Sequence, residues 1–287
     1  MFVRSSQPHS PAGLAAFGGA IDRRQFSLTA LAALLLPGCG GGGDGGDAAV
    51  PDAPAEQGVR VSVQTTLHGS ADDTGIDAWE LAAARGVLMN LKELLYGQPM
   101  LDLIGGQIEE SDRLLRQYVA ESKGEFKGTQ AIVSIQGLKV AEFMTMLRRS
   151  LSPQSSPEAL HATAREILFP THPEHYAGDL ATFGIVETMG TLPTRSRPTY
   201  IQSAPAFITE LIDESYSVRN AGAAAIADGT VFTYVLQQYK DTADGMEINL
   251  RIWYPAAAPS IFLEHHAKHY SVEFRNGARI AAAQVAK

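Results

Sequence analysis

Five of the eight histidines in this sequence fall in two short clusters, His172 with His175 and His265 with His266 and His269. Imidazole nitrogens bind zinc, copper and iron. Histidines four residues apart on a helix project from the same face, one turn apart, and His265 and His269 have this spacing. His172 and His175 have the shorter spacing of ligands that come from a turn. His172, His175, His265 and His269 are therefore candidate ligands of a transition-metal ion.

The same clusters have a plainer interpretation. Histidine pairs on helices commonly lie at the surface or beside a buried face without a metal, and Lys268, next to His269, would repel a cation. About ninety residues separate the two clusters, and nothing in the sequence brings them together. A carboxylate such as Glu174 or Glu264 would have to complete the site. From the sequence alone, the interpretation without a metal is favoured.

Motifs of the common catalytic classes are absent from the sequence. It contains no HExxH pattern, no GxSxG nucleophile elbow, no GxGxxG after a strand and no phosphate-binding loop that ends in Lys-Ser or Lys-Thr. The single cysteine, Cys39, has no partner for a disulfide or a thiolate metal site. The motifs therefore leave open whether the protein is an enzyme.

The elements that would position the histidines are helices followed by strands. Alternation of apolar and polar residues predicts strands over 59–67 and 246–254, the latter with one buried and one wet face. The Asp228–Gly229 pair predicts a hairpin between strands 216–227 and 230–239. Helical spacing predicts helices over 77–95, 107–121, 140–149, 157–169 and 260–274. We expect an α+β fold, with N-terminal helices, an antiparallel β-meander and a packed C-terminal helix.

The N-terminal residues indicate how the protein is targeted. Arg23 and Arg24 precede Phe26 and an apolar run of about 11 residues, whereas a membrane-spanning helix needs about 20. The run ends in the sequence LPGC, whose cysteine is Cys39. A short apolar run after a positive segment is typical of a cleaved export signal.

This segment resembles the signal of a bacterial lipoprotein exported by the twin-arginine route, with Arg23, Arg24 and Phe26 as the export residues. The resemblance implies that residues 1–38 are removed and that Cys39 becomes the N-terminus and carries the lipid, palmitate included. Gly40, in place of an aspartate, implies the outer membrane if the source is Gram-negative. The protein would then be lipid-anchored in the cell envelope, on the periplasmic side. The alternative is an ordinary secretory signal that contains two arginines.

The composition after the signal predicts a tethered, acidic domain. Residues 39–58 are rich in Gly, Asp, Pro and Ala, which predicts a flexible linker before a folded domain over 59–287. The chain has 23 Lys and Arg against 31 Asp and Glu; three of the former and one of the latter precede Cys39, which leaves a net charge of about −10. Because an acidic surface repels phosphate backbones, nucleic acid is not expected as a partner.

Two functional hypotheses remain. The first is a non-catalytic, membrane-anchored envelope lipoprotein whose domain binds a small apolar ligand or an envelope protein. The second is a periplasmic metal-dependent enzyme or cofactor-bearing subunit that uses His172, His175, His265 and His269. The two differ in one structural requirement, because only the metal-dependent protein needs the two histidine clusters to meet.

Overall fold

A computed structural model describes residues 61–67, 69–151, 156–179 and 184–286 of the chain. Arg60–Lys287 forms one compact unit. Arg23, Arg24, Phe26, Cys39 and the linker 39–58 lie outside the described residues, so their roles remain sequence predictions. None of the described helices is both long and apolar enough to span a bilayer.

The strands form one small ribbon and one large curled sheet. The ribbon pairs β1 (Ser62–Thr65) with β2 (Gly69–Asp72). The strands of the large sheet are β3 (Phe126–Gln136), β4 (His175–Asp179), β5 (Gly184–Met189), β6 (Leu192–Tyr200), β7 (Val218–Ala225), β8 (Val231–Asp241) and β9 (Gly245–Pro255). They are antiparallel, lie in the order β3-β9-β8-β7-β6-β5-β4 and curl into a half-barrel.

The helices precede, interrupt and follow this sheet. Their bounds are α1 (Asp73–Leu94), α2 (Gln98–Ser122), α3 (Val140–Leu151), α4 (Pro157–Thr163), α5 (Phe169–Thr171), α6 (Ala206–Thr209) and α7 (Ile261–Val285). A π-helical segment, Ala164–Leu168, joins α4 to α5. π-Helical turns are rare and occur frequently at functional sites. This one ends at Leu168, and the three residues of α5 separate it from His172, the start of the first histidine cluster.

The main hydrophobic core lies between the sheet and helices α3 and α7. Phe143 and Met146 of α3 meet Tyr270 and Phe274 of α7, and both pairs pack against the apolar residues of β8 and β9. The predicted α+β class, with early helices, an antiparallel meander and a packed C-terminal helix, is confirmed. Burial of these large side chains stabilises the fold by about 1.5–3 kcal/mol for each residue.

The predicted meander is present as β7, β8 and β9. Gly229 has a φ of +90°, which glycine adopts without strain, and Asp228 accepts a hydrogen bond from the Thr230 amide in the same turn. The expected wet face of β9 is wrong in part. Trp253 is only 7% exposed because it packs with Ile208 and other residues on the outer side of the sheet.

Local patterns missed four strands of the large sheet and misplaced two helix starts. The residues of β3 did not distinguish a strand from the start of a helix. Strands β4 and β5 are short, and the residues of β4, β5 and β6 do not alternate cleanly between apolar and polar. Helix α1 begins before Asp77, because the Asp72 carboxylate accepts a hydrogen bond from the Gly75 amide and caps the helix there. Helix α2 begins at Gln98 and not at the predicted residue 107, and Pro99 lies in its first turn.

Candidate metal centre

The two histidine clusters meet inside the domain. His175 Nε2 lies 3.2 Å from His269 Nε2, although 94 residues separate them in the chain. Both side chains are almost fully buried. His265 and His172 lie beside this pair, and both are near Glu174. The Oε2 atom of Glu174 lies 2.9 Å from His265 Nε2 and 3.6 Å from His172 Nδ1. The structure therefore brings together the four histidines that the sequence singled out.

Two carboxylates approach the paired histidines, and the strand register and helix periodicity explain why. His175 on β4 pairs directly with Glu187 on β5, so the two side chains are cross-strand neighbours. Their Nε2 and Oε2 atoms are 3.1 Å apart. Glu273 follows His269 by one turn of α7 and therefore lies on the same helix face. Its carboxylate oxygens are 4.0 Å from His175 Nε2 and 3.8 Å from His269 Nε2.

The four side chains His175, His269, Glu187 and Glu273, which we call the two-His two-Glu site, have nearly the spacing of a metal coordination shell. Zinc–nitrogen and zinc–oxygen bonds of about 2.0–2.2 Å separate tetrahedral ligand atoms by about 3.3–3.5 Å. The observed separations between the converging atoms run from 3.1 Å to 4.0 Å. The separations of the two histidine nitrogens from each other and from the carboxylate oxygens are therefore close to those that a divalent ion imposes on its ligands.

The hydrogen bonding of His175 fixes which of its nitrogens is free. Its Nδ1 lies 2.7 Å from the Leu168 carbonyl oxygen at the end of the π-helical segment. Because a carbonyl only accepts, Nδ1 carries the proton and donates it. In the neutral ring Nε2 then has a bare lone pair, and this lone pair meets the acceptor oxygen of Glu187 at 3.1 Å. Either a second proton on Nε2 or a cation bound between the two atoms relieves this contact of two acceptors.

The ring of His269 is held from several sides. His172 stacks on it with ring centroids 3.8 Å apart, and His266 lies on its other side at 5.1 Å with nearly parallel rings. Its Nδ1 lies 3.5 Å from Glu174 Oε2, and the same carboxylate contacts His265. A second-shell carboxylate on the ring nitrogen that faces away from the metal is the usual support of a metal-binding histidine. Nε2 is left to face His175 and Glu187.

The electrostatics of the site favour a positive charge at its centre. Burial by itself lowers the pKa of His269, but hydrogen bonds to Glu174 and Glu187 outweigh burial and raise this pKa to about 10. Burial and the nearby His269 lower the pKa of His172 to about 3. Burial opposes ionisation of Glu187, yet its hydrogen bonds with His175 and His269 hold its pKa well below the ordinary value.

The loop that carries the first cluster is anchored by two buried polar contacts. Lys92 on α1 donates a hydrogen bond of 2.6 Å to the Pro173 carbonyl, and burial lowers its pKa to about 8 although Glu174 attracts its charge. Asn276 on α7 donates a 3.0 Å hydrogen bond to the Thr171 carbonyl. These contacts fix the loop against α1 and against α7, the helix that carries His269 and Glu273.

A second combination of potential ligands is less suited to a metal. His172, Glu174 and His269 also offer nitrogen and oxygen atoms that all lie within 4.8 Å of one another. However, His172 Nδ1 already accepts a 3.1 Å hydrogen bond from the Glu174 amide. Since Nδ1 accepts, the neutral ring carries its proton on Nε2, and an ion in this position would have to displace either that hydrogen bond or that proton. The two-His two-Glu site does not carry this cost, since Leu168 binds the nitrogen of His175 that faces away.

A mostly apolar cavity of about 430 Å³ lies beside the site, on the concave side of the half-barrel. Strand β7 opens this space because Gly222, Ala223 and Ala224 have little or no side chain. His269, Glu187 and Glu273 of the site lie in its wall, together with apolar residues that include Phe143, Met146, Leu160, Ile167, Ile185, Met189, Val235 and Ile252.

The sequence identified part of this centre and missed the rest. Glu174 contacts His265 and His269 but is not one of the four residues of the two-His two-Glu site, and Glu264 and Lys268 are exposed. Glu187 and Glu273 were not identified. The signal for Glu273 was its spacing, because it continues the four-residue series of His265 and His269. The signal for Glu187 was an acidic residue within an apolar strand, which is rarely buried without a partner.

Comparisons with known proteins do not identify the chain. No family model and no curated protein matches it. Among solved structures, an uncharacterized protein from Rhizobium leguminosarum is similar, with 10% sequence identity, a TM-score of 0.29 and coverage of 55% of this chain and 97% of that one. A similarity this low carries no functional argument, so function has to be inferred from the geometry of the site.

Proposed function

We propose that this protein is a metal-dependent protein of the cell envelope, in which His175, His269, Glu187 and Glu273 bind one divalent transition-metal ion. Imidazole and carboxylate ligands together suit zinc and iron. The observation that carries the proposal is the contact of His175 with Glu187. The Leu168 carbonyl accepts a hydrogen bond from Nδ1 of His175, so the nitrogen that is left for a metal ion, Nε2, lies 3.1 Å from a carboxylate oxygen of Glu187.

A proton alone is a poorer explanation of this arrangement than a metal ion. A proton on His269 Nε2 satisfies one of its two close neighbours, His175 at 3.2 Å or Glu187 at 3.5 Å. A proton on His175 Nε2 instead can be shared between Glu187 at 3.1 Å and His269 at 3.2 Å, but it does not reach Glu273 at 4.0 Å. An ion at the centre attracts all four groups at once. Glu187 is buried and Glu273 is half-buried, and their negative charges are stabilised by a positive charge such as that of a divalent ion.

The cavity favours a catalytic or ligand-binding ion over a structural one. Structural zinc sites are closed by four protein ligands, whereas catalytic sites keep a position open to water or substrate. Glu273 is the most distant ligand, at 3.8–4.0 Å from the histidine nitrogens, and lies in the cavity wall with Glu187 and His269. Displacement of Glu273, or expansion to five-coordination, would open a position on this side of the ion to water or substrate. An ion here would polarise a bound oxygen or activate a water molecule. This supports the metal-dependent enzyme or cofactor-bearing subunit.

The test is the metal content of the full-length protein, exported by its own signal and extracted from membranes with detergent. Elemental mass spectrometry should find about one zinc or iron ion for each chain after export in the native route. The His175→Ala/His269→Ala double variant should contain almost none. A folded, metal-free wild-type protein that also takes up no Zn²⁺, Fe²⁺ or Co²⁺ would reject the proposal.

We also propose the lipid anchor at Cys39 and the envelope location, on the strength of the signal sequence alone. The full-length protein should fractionate with membranes, and the Cys39→Ala variant should lose this association, because a charge of about −10 gives the domain no electrostatic attraction to anionic lipids. Ultracentrifugation of cell lysates measures the outcome. Membrane association that survives the substitution would show that Cys39 is not the anchor.

A further inference from the structure

The cavity next to the two-His two-Glu site is too large to be a packing defect. Protein interiors contain few voids larger than one water molecule, and this cavity measures about 430 Å³. Pockets for small molecules occupy about 300–1,000 Å³ and are mostly apolar with a few polar groups that fix orientation. The cavity has this size and composition, and its acidic and histidine side chains lie at or beside the metal site.

We propose that the cavity binds a neutral, mostly apolar organic molecule with one hydroxyl or carbonyl oxygen, and that this oxygen coordinates the ion. This inference rests on the metal site proposed above. His269, Glu187 and Glu273 lie both in the site and in the cavity wall, so a molecule in the cavity reaches the open side of the ion. The apolar body packs against Val235, Ile252 and the small residues of β7.

The charges of the site select a neutral molecule over an anion. The two carboxylates of Glu187 and Glu273 balance the charge of a divalent ion. The charge of Lys92 is attracted by Glu174. Within the part of the chain that the structure describes, neither lysine nor arginine lines the cavity. A ligand carboxylate would therefore add an unpaired negative charge to a buried site, which costs more than a neutral hydroxyl or carbonyl group.

The experiment compares four eight-carbon probes: octanol, octanone, octanoate and octane. Each is titrated into Co²⁺-loaded and metal-free protein, the chain from residue 39 onward with Cys39→Ser. The visible absorption of Co²⁺ reports whether an oxygen enters the coordination shell, and calorimetry reports affinity. Octanol and octanone should shift the Co²⁺ bands and bind the loaded protein about ten- to a hundredfold more tightly than the metal-free protein, the gain of a contact with a charged group.

A matched pair of variants tests the location. Val235 lines the cavity, so Val235→Phe should narrow it and reduce the spectral shift while the Co²⁺ content stays at one ion for each chain. Ile132 is 59% exposed on β3, and Ile132→Phe should behave as the wild type. If Val235→Phe does not fold, the comparison of loaded with metal-free wild type decides the question without it.

The failures of the two proposals can be told apart. Absence of Co²⁺ binding would reject the metal site itself. Normal Co²⁺ binding with no spectral response to octanol and octanone would reject only the ligand proposal. A stronger response to octanoate would overturn the preference for a neutral donor. Equal binding of all four probes to loaded and metal-free protein would show an apolar pocket that does not use the ion.

Discussion

His269→Ala should weaken metal binding by about a hundred- to a thousandfold. Structural zinc sites bind with about 10–16 kcal/mol shared among four ligands, or about 3 kcal/mol for each ligand, and each 1.4 kcal/mol is a factor of ten in affinity. His269 is also the residue on which the centre converges, since it contacts His175, Glu187 and Glu174. Competition with a chromophoric chelator measures the change in Kd for Zn²⁺.

Two further substitutions make this result specific. His265 contacts Glu174 and not the proposed ion, so His265→Ala should reduce affinity by only about ten- to a hundredfold, as second-shell changes do. His161 pairs with Glu93 and stacks on Tyr96 outside the site, so His161→Ala should leave affinity unchanged. Equal effects of His269→Ala and His161→Ala would contradict the assignment. Glu187→Gln, which keeps the size of the side chain, tests the site if His269→Ala does not fold.

Removal of the metal should lower the melting temperature by about 8–16 °C. A ligand that binds only the folded state at a thousand times its Kd stabilises that state by about 4 kcal/mol. In a domain of 150–250 residues, 1 kcal/mol corresponds to about 2–4 °C. The site joins β4, β5 and α7, so a bound ion links elements that are far apart in the chain. Calorimetric melting with and without a chelator measures the shift.

The chelator itself needs a control, because it could act on the protein directly. The His175→Ala/His269→Ala variant should melt at the same temperature with and without the chelator. Readdition of Zn²⁺ should restore the wild-type melting temperature and leave that of the variant unchanged. A wild-type melting temperature that does not respond to the chelator would mean that the fold gains no stability from an ion.

The fold class followed from the sequence because its longest elements have clear periods. The alternation over 246–254 and the Asp228–Gly229 turn were sufficient for the meander. Strands β4 to β6 were not predictable, because their burial depends on tertiary neighbours: β5 is buried at five of its six positions. Such a strand has no alternation that a local pattern could detect.

The site followed from the sequence only in its histidines. Residue type and spacing pointed to His175 and His269, but their contact depends on the curl of the sheet, which brings β4 against α7. Glu187 joins them through strand register alone, and register is a property of the assembled sheet. The candidate residues could therefore be predicted from the sequence, but their assembly into one site could not, because it depends on the pairing of elements that are distant in the chain.

The central claim is that one ion lies between His175, His269, Glu187 and Glu273. Anomalous diffraction at the zinc absorption edge, from crystals grown with Zn²⁺, locates that ion directly. The claim requires a single strong peak about 2.0–2.2 Å from Nε2 of both histidines and from a Glu187 oxygen. A peak bound instead by His172, Glu174 and His265, or no peak inside the domain, would contradict it.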